Sequence, residues 1–360
     1  MRRMEAAVNA ESLEGKVSVV RLLDAWYPIC ESGELEERPL TRKLYGRPLV
    51  VFRNEAGSAG ALLDRCPHRN VPLSLGQVVG PNLQCGYHGW QFDREGVCRK
   101  IPGLCGPAEL QSRNVESHPV RERDGYVWVW ANHESEPTGA PFPLPKLDAP
   151  GYTTVRRMVE AKGTLHATIE NALDVPHTSF AHKGLFRGAG RRNRIKAVVT
   201  RGEDRVQAEY VGEPRPEGVV GRVLSPSGGV VTHYDRFILP SVAQVEYSIG
   251  AENHILVTAI GTPVDDFVTR LYAVVTFRTR FPSAVVKRVL DPIAMRIFAQ
   301  DAAILETQTD AIVAFGGESF VSTEIDLMGP QILRLMRRAE QKKPAKDGDE
   351  SWRLEVELEV

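Results

Sequence analysis

The sequence predicts an α+β protein of two domains, all-β at first and then one large antiparallel sheet carrying helices. Three observations predict it. Short β-type runs bounded by turn residues crowd the segment from Val17 to about Asn132. The Pro-rich stretch from Glu136 to Lys146 reads as a link. Beyond it, longer runs alternate apolar and polar residues, the pattern of a sheet with one buried face.

Taken in order, Leu49-Val-Val-Phe52, Ala61-Leu-Leu63 and Gly125-Tyr-Val-Trp-Val-Trp130 are strands of the first domain. Val206-Gln-Ala-Glu-Tyr210, Ala243-Gln-Val-Glu-Tyr247 and Leu271-Tyr-Ala-Val-Val-Thr-Phe277 belong to the sheet of the second. The runs around His177 and from Phe298 to Asp310 read as helices packed on that sheet. The expected domains are residues 17–133 and 134–340, with residues 1–16 packing on the second. The highly charged segment from Gln341 to Val360 is expected to be mobile and solvated.

Composition sets limits. At 360 residues and 42% hydrophobic content the chain can bury substantial cores, and a net charge of −1 argues against a nucleic-acid partner. No apolar run approaches the roughly twenty residues that span a bilayer, and Met1-Arg-Arg-Met-Glu-Ala-Ala lacks the apolar core of a secretory signal, so a cytoplasmic location is expected. Five cysteines make no obvious disulfide framework, and Cys30, Cys98 and Cys105 read as free thiols.

The remaining two cysteines carry the most informative pattern. Cys66-Pro67-His68 is followed, after sixteen intervening residues, by Cys85-Gly86-Tyr87-His88. Two thiolates and two imidazoles in mixed pairs suit a Rieske [2Fe–2S] centre, where imidazoles on one iron raise the potential to about −150 to +300 mV. Cys66 and Cys85 are expected on the buried iron, and His68 and His88 on the outer one. A structural zinc site is the bland alternative, but zinc fingers pair Cys with Cys and His with His.

A second pattern lies in Asn171-Ala-Leu-Asp174-Val-Pro-His177-Thr-Ser-Phe-Ala-His182. Two histidines near a carboxylate suggest part of a 2-His-1-carboxylate Fe(II) site with open positions. A spacing of five puts the histidines about 140° apart on a regular helix, so the helix must loosen or end between them. A helix with a capping Asp and two satisfied histidines is the competing reading. For the third ligand, Asp301, Glu306 and Asp310 all lie on one helix-like run, and spacing alone does not choose.

The runs Cys66-Pro67-His68-Arg69 and Cys85-Gly86-Tyr87-His88-Gly89-Trp90-Gln91-Phe92, with the Asp174/His177/His182 motif, resemble the Rieske non-haem iron oxygenases. The resemblance extends to about residue 340. It implies a Rieske β-sandwich followed by a helix-grip catalytic domain, a [2Fe–2S] cluster on Cys66, His68, Cys85 and His88, and mononuclear Fe(II) on His177, His182 and Asp301. It also implies that Asp174 bridges His177 to His88 of a neighbouring subunit in a head-to-tail trimer, while Asn171 sits near the iron or simply caps or faces solvent. His118, His133, His166, His233 and His254 have no ligand partners at useful spacing, although His233 and His254 lie where a substrate hydrogen bond is conceivable.

The expected function is a terminal oxygenase of the α-only monooxygenase and demethylase kind. It would use O₂ to hydroxylate or demethylate a bulky hydrophobic, polycyclic or sterol-like small molecule, since Gly228–Pro240 and Ile255–Ile260 read as largely apolar. No plant-type ferredoxin signature and no G-x-G-x-x-G motif is present, so a separate reductase or ferredoxin must supply electrons. A cis-dihydroxylating dioxygenase, a Rieske electron carrier without mononuclear iron, and a zinc-bound structural module are the alternatives.

Overall fold

The computed structural model describes residues 13, 15–36, 38–182, 194–213, 231–250, 253–279, 282–344 and 352–359. Two compact units are present: Arg21–Leu144 together with Thr262–Asp265, and the rest of the chain.

The first unit is built from three small antiparallel sheets. One orders β1 (Trp26–Glu31), β11 (Tyr126–Trp130) and β10 (Val120–Arg123), and a second orders β2 (Leu40–Leu44), β3 (Arg47–Arg53), β4 (Ala59–Leu63) and β9 (Ser117–His118). The third runs β5 (Gln77–Val79), β6 (Asn82–Gln84), β7 (Gln91–Phe92) and β8 (Cys98–Lys100). Strand β3 joins two cores because side chains alternate across it. Leu49 and Val51 pack with Tyr27, Ile29, Val127 and Val129. Val50 and Phe52 pack on the other face with Leu62, Leu83, Phe92, Cys66 and Cys85. Both cysteines of the mixed motif are therefore anchored in a hydrophobic core.

The Pro-rich segment belongs mostly to this unit, so the boundary lies at its end rather than at 133/134. Its carbonyls are used: the Arg121 guanidinium donates to Gly139 C=O and Arg123 to Pro141 C=O, and Asp124 accepts from Leu144 N–H.

The second unit is an eight-stranded antiparallel sheet in the order β12 (Thr153–Ala161), β18 (Val268–Arg278), β17 (Asn253–Asp265), β16 (Val242–Ile249), β15 (Val231–Ile238), β14 (Arg205–Val211), β13 (Arg194–Arg201), β19 (Arg353–Glu359). Among the described residues four helices accompany it: α1 (Leu165–Leu173), α2 (Thr178–Ala181), α3 (Ser283–Phe315) and α4 (Gly329–Glu340). Thr164 caps α1 by accepting from Ala167 N–H. Leu305, Thr309 and Ile312 are the buried stripe of α3, spaced by four and three residues. Leu13 and Val17 pack against Ile312. Among the described residues no helix is long and apolar enough to cross a membrane.

The tail corrects the composition reading. Arg353-Leu-Glu-Val-Glu-Leu-Glu359 pairs antiparallel with β13, from Arg353 opposite Thr200 to Glu359 opposite Arg194. Its charges all sit on one face, while Leu354, Val356 and Leu358 turn inward, Leu358 being 3% exposed. Net charge hid a period-two pattern. Leu358→Ala should lower the unfolding free energy by about 2–3 kcal/mol, whereas Glu357→Ala should change it by less than about 0.5 kcal/mol; equal, negligible effects in denaturant titrations would restore the mobile-tail reading.

Candidate active site

In the first unit, two loops of the same design hold the mixed motif. The Cys66 N–H donates to Val71 C=O and its C=O accepts from Asn70 N–H, at 2.9 and 2.8 Å. The Cys85 N–H donates to Trp90 C=O and its C=O accepts from Gly89 N–H, at 2.8 and 3.1 Å. Each loop thus closes at the fourth and fifth residue after its cysteine. The fourth residue must adopt the left-handed conformation, with φ of 62° at Asn70 and 72° at Gly89, and these are residue types that tolerate it.

The thiols lie inside and the imidazoles outside. Cys66 and Cys85 are each 2% exposed, and burial, with Cys85 alongside, pushes the Cys66 thiol up to about 11. The His68 and His88 ring centroids are 4.4 Å apart, and His68 stacks on Trp90 at 4.9 Å with an interplanar angle of 7°. His68 Nδ1 is buried without a hydrogen bond. Two buried thiols and two outer imidazoles suit ligands at the two ends of a binuclear cluster.

In the second unit, α1 stops at Leu173 and Asp174 is already extended, with φ −89° and ψ 103°. Pro176 explains the break, because it disfavours helix at the residue before it and has no N–H to donate. His177 and His182 flank the single turn α2. The helix therefore ends before His177 and restarts between the two histidines, which brings their Nε2 atoms to 3.3 Å.

The carboxylate is chosen by the face of α3. Asp301 lies four residues before Leu305, on the buried stripe, whereas Glu306 and Asp310 are exposed and Asp310 pairs with Lys162. Asp301 Oδ1 is 3.1 Å from His182 Nε2 and 3.4 Å from His177 Nε2. Among the described residues, His177, His182 and Asp301 form the one group with three ligand atoms gathered this closely.

The remaining ring nitrogens show why. His177 Nδ1 faces the Asp174 backbone carbonyl, with the Asp174 carboxylate 3.4 Å away, and His182 Nδ1 is 3.0 Å from Gln300 Oε1. Both Nδ1 atoms meet acceptors and so carry the ring protons, leaving Nε2 lone pairs to converge with Asp301 Oδ1. Ligands at about 2.1 Å on one face of an octahedron would be about 3.0 Å apart. The three atoms fit a first-row divalent metal. Without one, burial opposes a charge on His177, but the Asp174 and Asp301 carboxylates outweigh it and raise its pKa to about 9. Burial likewise raises Asp301, but bonding to His177 and His182 wins and holds it below the ordinary carboxylate value.

The first-unit segment 25–116 matches the Rieske [2Fe-2S] domain, and residues 162–342, half of the chain, match the vanillate O-demethylase oxygenase C-terminal domain. The chain belongs to the Rieske-type non-haem iron oxygenases. It is 35% identical over 187 residues to the oxygenase component of dicamba O-demethylase from Stenotrophomonas maltophilia, a match covering 51% of this chain and 54% of that one. It is 30% identical over 222 residues to the oxygenase component of chloroacetanilide N-alkylformylase from Rhizorhabdus wittichii, covering 59% and 62%. The matches thus span little more than half the length of these curated relatives. The crystal structure of dicamba monooxygenase bound to dicamba superposes with a TM-score of 0.75 at 25% identity, over 90% of this chain and 99% of that one.

Other expected residues are placed as follows. Asn171 lines a cavity of about 210 Å³ together with Asp174, His177, Glu170, Tyr210 and Gln308. His118 bonds the Trp130 carbonyl and His166 the Gly329 carbonyl; His133 lies 3.5 Å from Glu116. His254 bonds Tyr152 and Glu246. The β15 segment is not uniformly apolar: its inward face is Val231, His233, Asp235 and Phe237, all buried, while residues 228–230 lie outside the described residues. Gln300, which orients His182, was not singled out from sequence, and Trp90, which stacks on His68, was read only as part of the second motif. Adjacency was the available signal: Gln300 precedes Asp301, and Trp90 ends the second loop.

Two outcomes follow. Asp301→Asn should weaken Fe(II) binding by more than about 100-fold, beyond the range for groups that only orient ligands, while Glu306→Gln and Asp310→Asn leave it unchanged in equilibrium titrations. Cys85→Ser should bleach the visible bands of the cluster, whereas Cys98→Ser and Cys105→Ser should keep them; loss in either control from a folded protein would overturn the ligand set.

Proposed function

We propose that this chain is the terminal oxygenase of a multicomponent monooxygenase, hydroxylating or oxidatively demethylating a C–H bond of a hydrophobic small molecule. One observation carries the reading: a two-ended Cys/His site and a facial His/His/carboxylate site coexist in one chain. Cys66 and Cys85 would hold one iron of the [2Fe–2S] cluster, His68 and His88 the other, and His177, His182 and Asp301 a mononuclear iron. Bound there, iron with open positions would supply oxidising power from O₂ and two electrons.

The residues around it orient and exclude. Asp174 and Gln300 fix the two imidazoles through their Nδ1–H groups. Tyr247, Ile249, Val231 and Ile255 from the sheet pack with Ile293 of α3, an apolar cluster suited to the body of a hydrophobic substrate. The names of the relatives, an O-demethylase and an N-alkylformylase, favour monooxygenation over cis-dihydroxylation. Electrons would come from a separate reductase or ferredoxin, the protein would work in the cytoplasm, and Asp174 would join His177 to His88 of the next copy in a closed ring of three.

Analysis of the wild-type protein should give about three irons and two sulfides per chain; about two irons would favour an electron carrier, and zinc without sulfide a structural module. Asp174→Asn should remain trimeric, keep both metals and reduce its cluster, yet turn over at least about tenfold more slowly. Mixing His177→Ala chains with Cys85→Ser chains should restore part of the activity each lacks. An active monomer by sedimentation, or full activity in Asp174→Asn, would remove the inter-subunit route.

A further inference from the structure

The segment that carries the two cysteine loops has an unbalanced surface charge. Between Asp64 and Val115 there are four carboxylates, Asp64, Asp93, Glu95 and Glu109, and each is already engaged. Asp64 accepts from the Ser74 N–H and hydroxyl, Asp93 and Glu109 bind Arg99, and Glu95 binds Arg94. Arg65, Arg69 and Lys100 are exposed, and among the described residues none of them has a carboxylate partner. Arg65 Nε donates to the Asn70 side chain at 2.8 Å, and Arg69 donates to the His68 carbonyl at 3.2 Å. Neither contact cancels charge.

All three cations are placed on the His68 side of the motif. Arg65 and Arg69 belong to the first loop, on either side of His68 in the chain. Lys100, at the end of β8, lies opposite Gln91, the residue after the Trp90 that stacks on His68. An apolar contact accompanies them. By holding Ser74 at 2.7 and 2.6 Å, Asp64 sets Leu75 beside the loop that Arg65 begins, and Leu75 is 71% exposed. The whole chain has a net charge of −1, so the positive excess is local. An exposed apolar side chain rimmed by charge of one sign has the make-up of a protein-docking surface, where the field steers a partner and the apolar contact seats it.

The oxygenase reading requires a separate electron donor without saying what its surface is like. We propose that Arg65, Arg69 and Lys100 dock an acidic one-electron carrier protein beside His68, an inference that rests on that reading and adds the partner's chemistry to it. In each encounter the reduced carrier loses one electron and the centre held by Cys66, His68, Cys85 and His88 gains it. Two encounters supply the two electrons of one turnover, and no bond is made or broken in either. His68 and His88 stand on separate loops, so a carrier seated on the first loop leaves the second for the contact with the next copy. Steering by opposite charge raises association rates by about 10 to 1,000-fold and fades with salt.

The test uses the protein with its cluster in place and, as probe, a reduced plant-type [2Fe–2S] ferredoxin of high negative charge, beside the same ferredoxin with its carboxylates amidated. At low salt, stopped-flow reduction of the wild type by the acidic probe should be at least about tenfold faster than by the amidated one. The advantage should vanish at about 1 M salt, where the Debye length is about 3 Å. The triple variant Arg65→Gln/Arg69→Gln/Lys100→Gln should lose at least about tenfold in the low-salt rate. Arg69→Gln alone, which removes no side-chain bond, should lose part of it, and Lys43→Gln on β2 none. Reduction by photoreduced deazaflavin, a small neutral donor, should be the same in every variant, which separates docking from a change in cluster potential. Equal rates with the two ferredoxins, a wild-type rate that rises with salt, or an equal loss with deazaflavin would overturn the docking surface. So would a triple variant whose assembly state changes on sedimentation, because the cations would then serve a second copy of this chain. A wild type that shows the expected salt dependence but holds no mononuclear iron would instead overturn the oxygenase reading and leave the docking surface standing.

Discussion

The second unit is organised around three lone pairs that repel one another. His177 Nε2, His182 Nε2 and Asp301 Oδ1 face each other at 3.1 to 3.4 Å, and only a cation or a shared proton makes that favourable in a partly buried site. Each ligand therefore needs its own restraint. Pro176 ends α1 so that His177 can turn back, the Asp174 carbonyl and Gln300 hold the two rings, and the buried stripe of α3 sets the rotation of Asp301. That rotation is pinned from outside the site, where Thr309 donates to the Lys162 carbonyl at 2.9 Å and Asp310 pairs with Lys162. Asp310, outside the gathered trio, thus helps to fix Asp301.

The first unit solves a different problem, a site that must be dry at one end and accessible at the other. It does so by repeating one loop. Both cysteines root in the core under β3, both loops close at the fourth and fifth following residue, and both deliver a histidine toward the surface. Stacking on Trp90 orients His68 and leaves its buried Nδ1 without a hydrogen bond. The burial gradient from thiol to imidazole sets which end of the motif faces solvent.

What the sequence disclosed follows from how local each signal is. The cysteine loops are self-contained, so spacing and residue type revealed them. The histidine pair was visible, but its geometry was not, because the effect of Pro176 on chain direction decides it. Asp301 could be separated from Glu306 and Asp310 only by helix rotation, which depends on Leu305, Thr309 and Ile312 meeting the sheet. The terminal strand was missed for the opposite reason: charge dominates its composition, while its fold depends on the alternation of Leu354, Val356 and Leu358 and on an edge offered by β13, more than 150 residues earlier. The link was misplaced because proline content says nothing about whether Arg121 and Arg123 take up its carbonyls.

Strand β15 shows where averaged hydropathy fails and why that matters for function. Val-Thr-His-Tyr-Asp-Arg-Phe-Ile sits inside an eight-stranded sheet, yet carries ionisable groups on both faces. On one face Arg236 is neutralised by Glu246 and donates to Gln207, near His254, an arrangement that partly exposed side chains sustain at little cost. On the other, His233 and Asp235 are almost completely buried and their charges do not cancel once Glu213 is counted. A strand selected only to fill a core would carry two hydrophobic residues there, as Val231 and Phe237 do at its ends. Folding alone gives no reason for the difference.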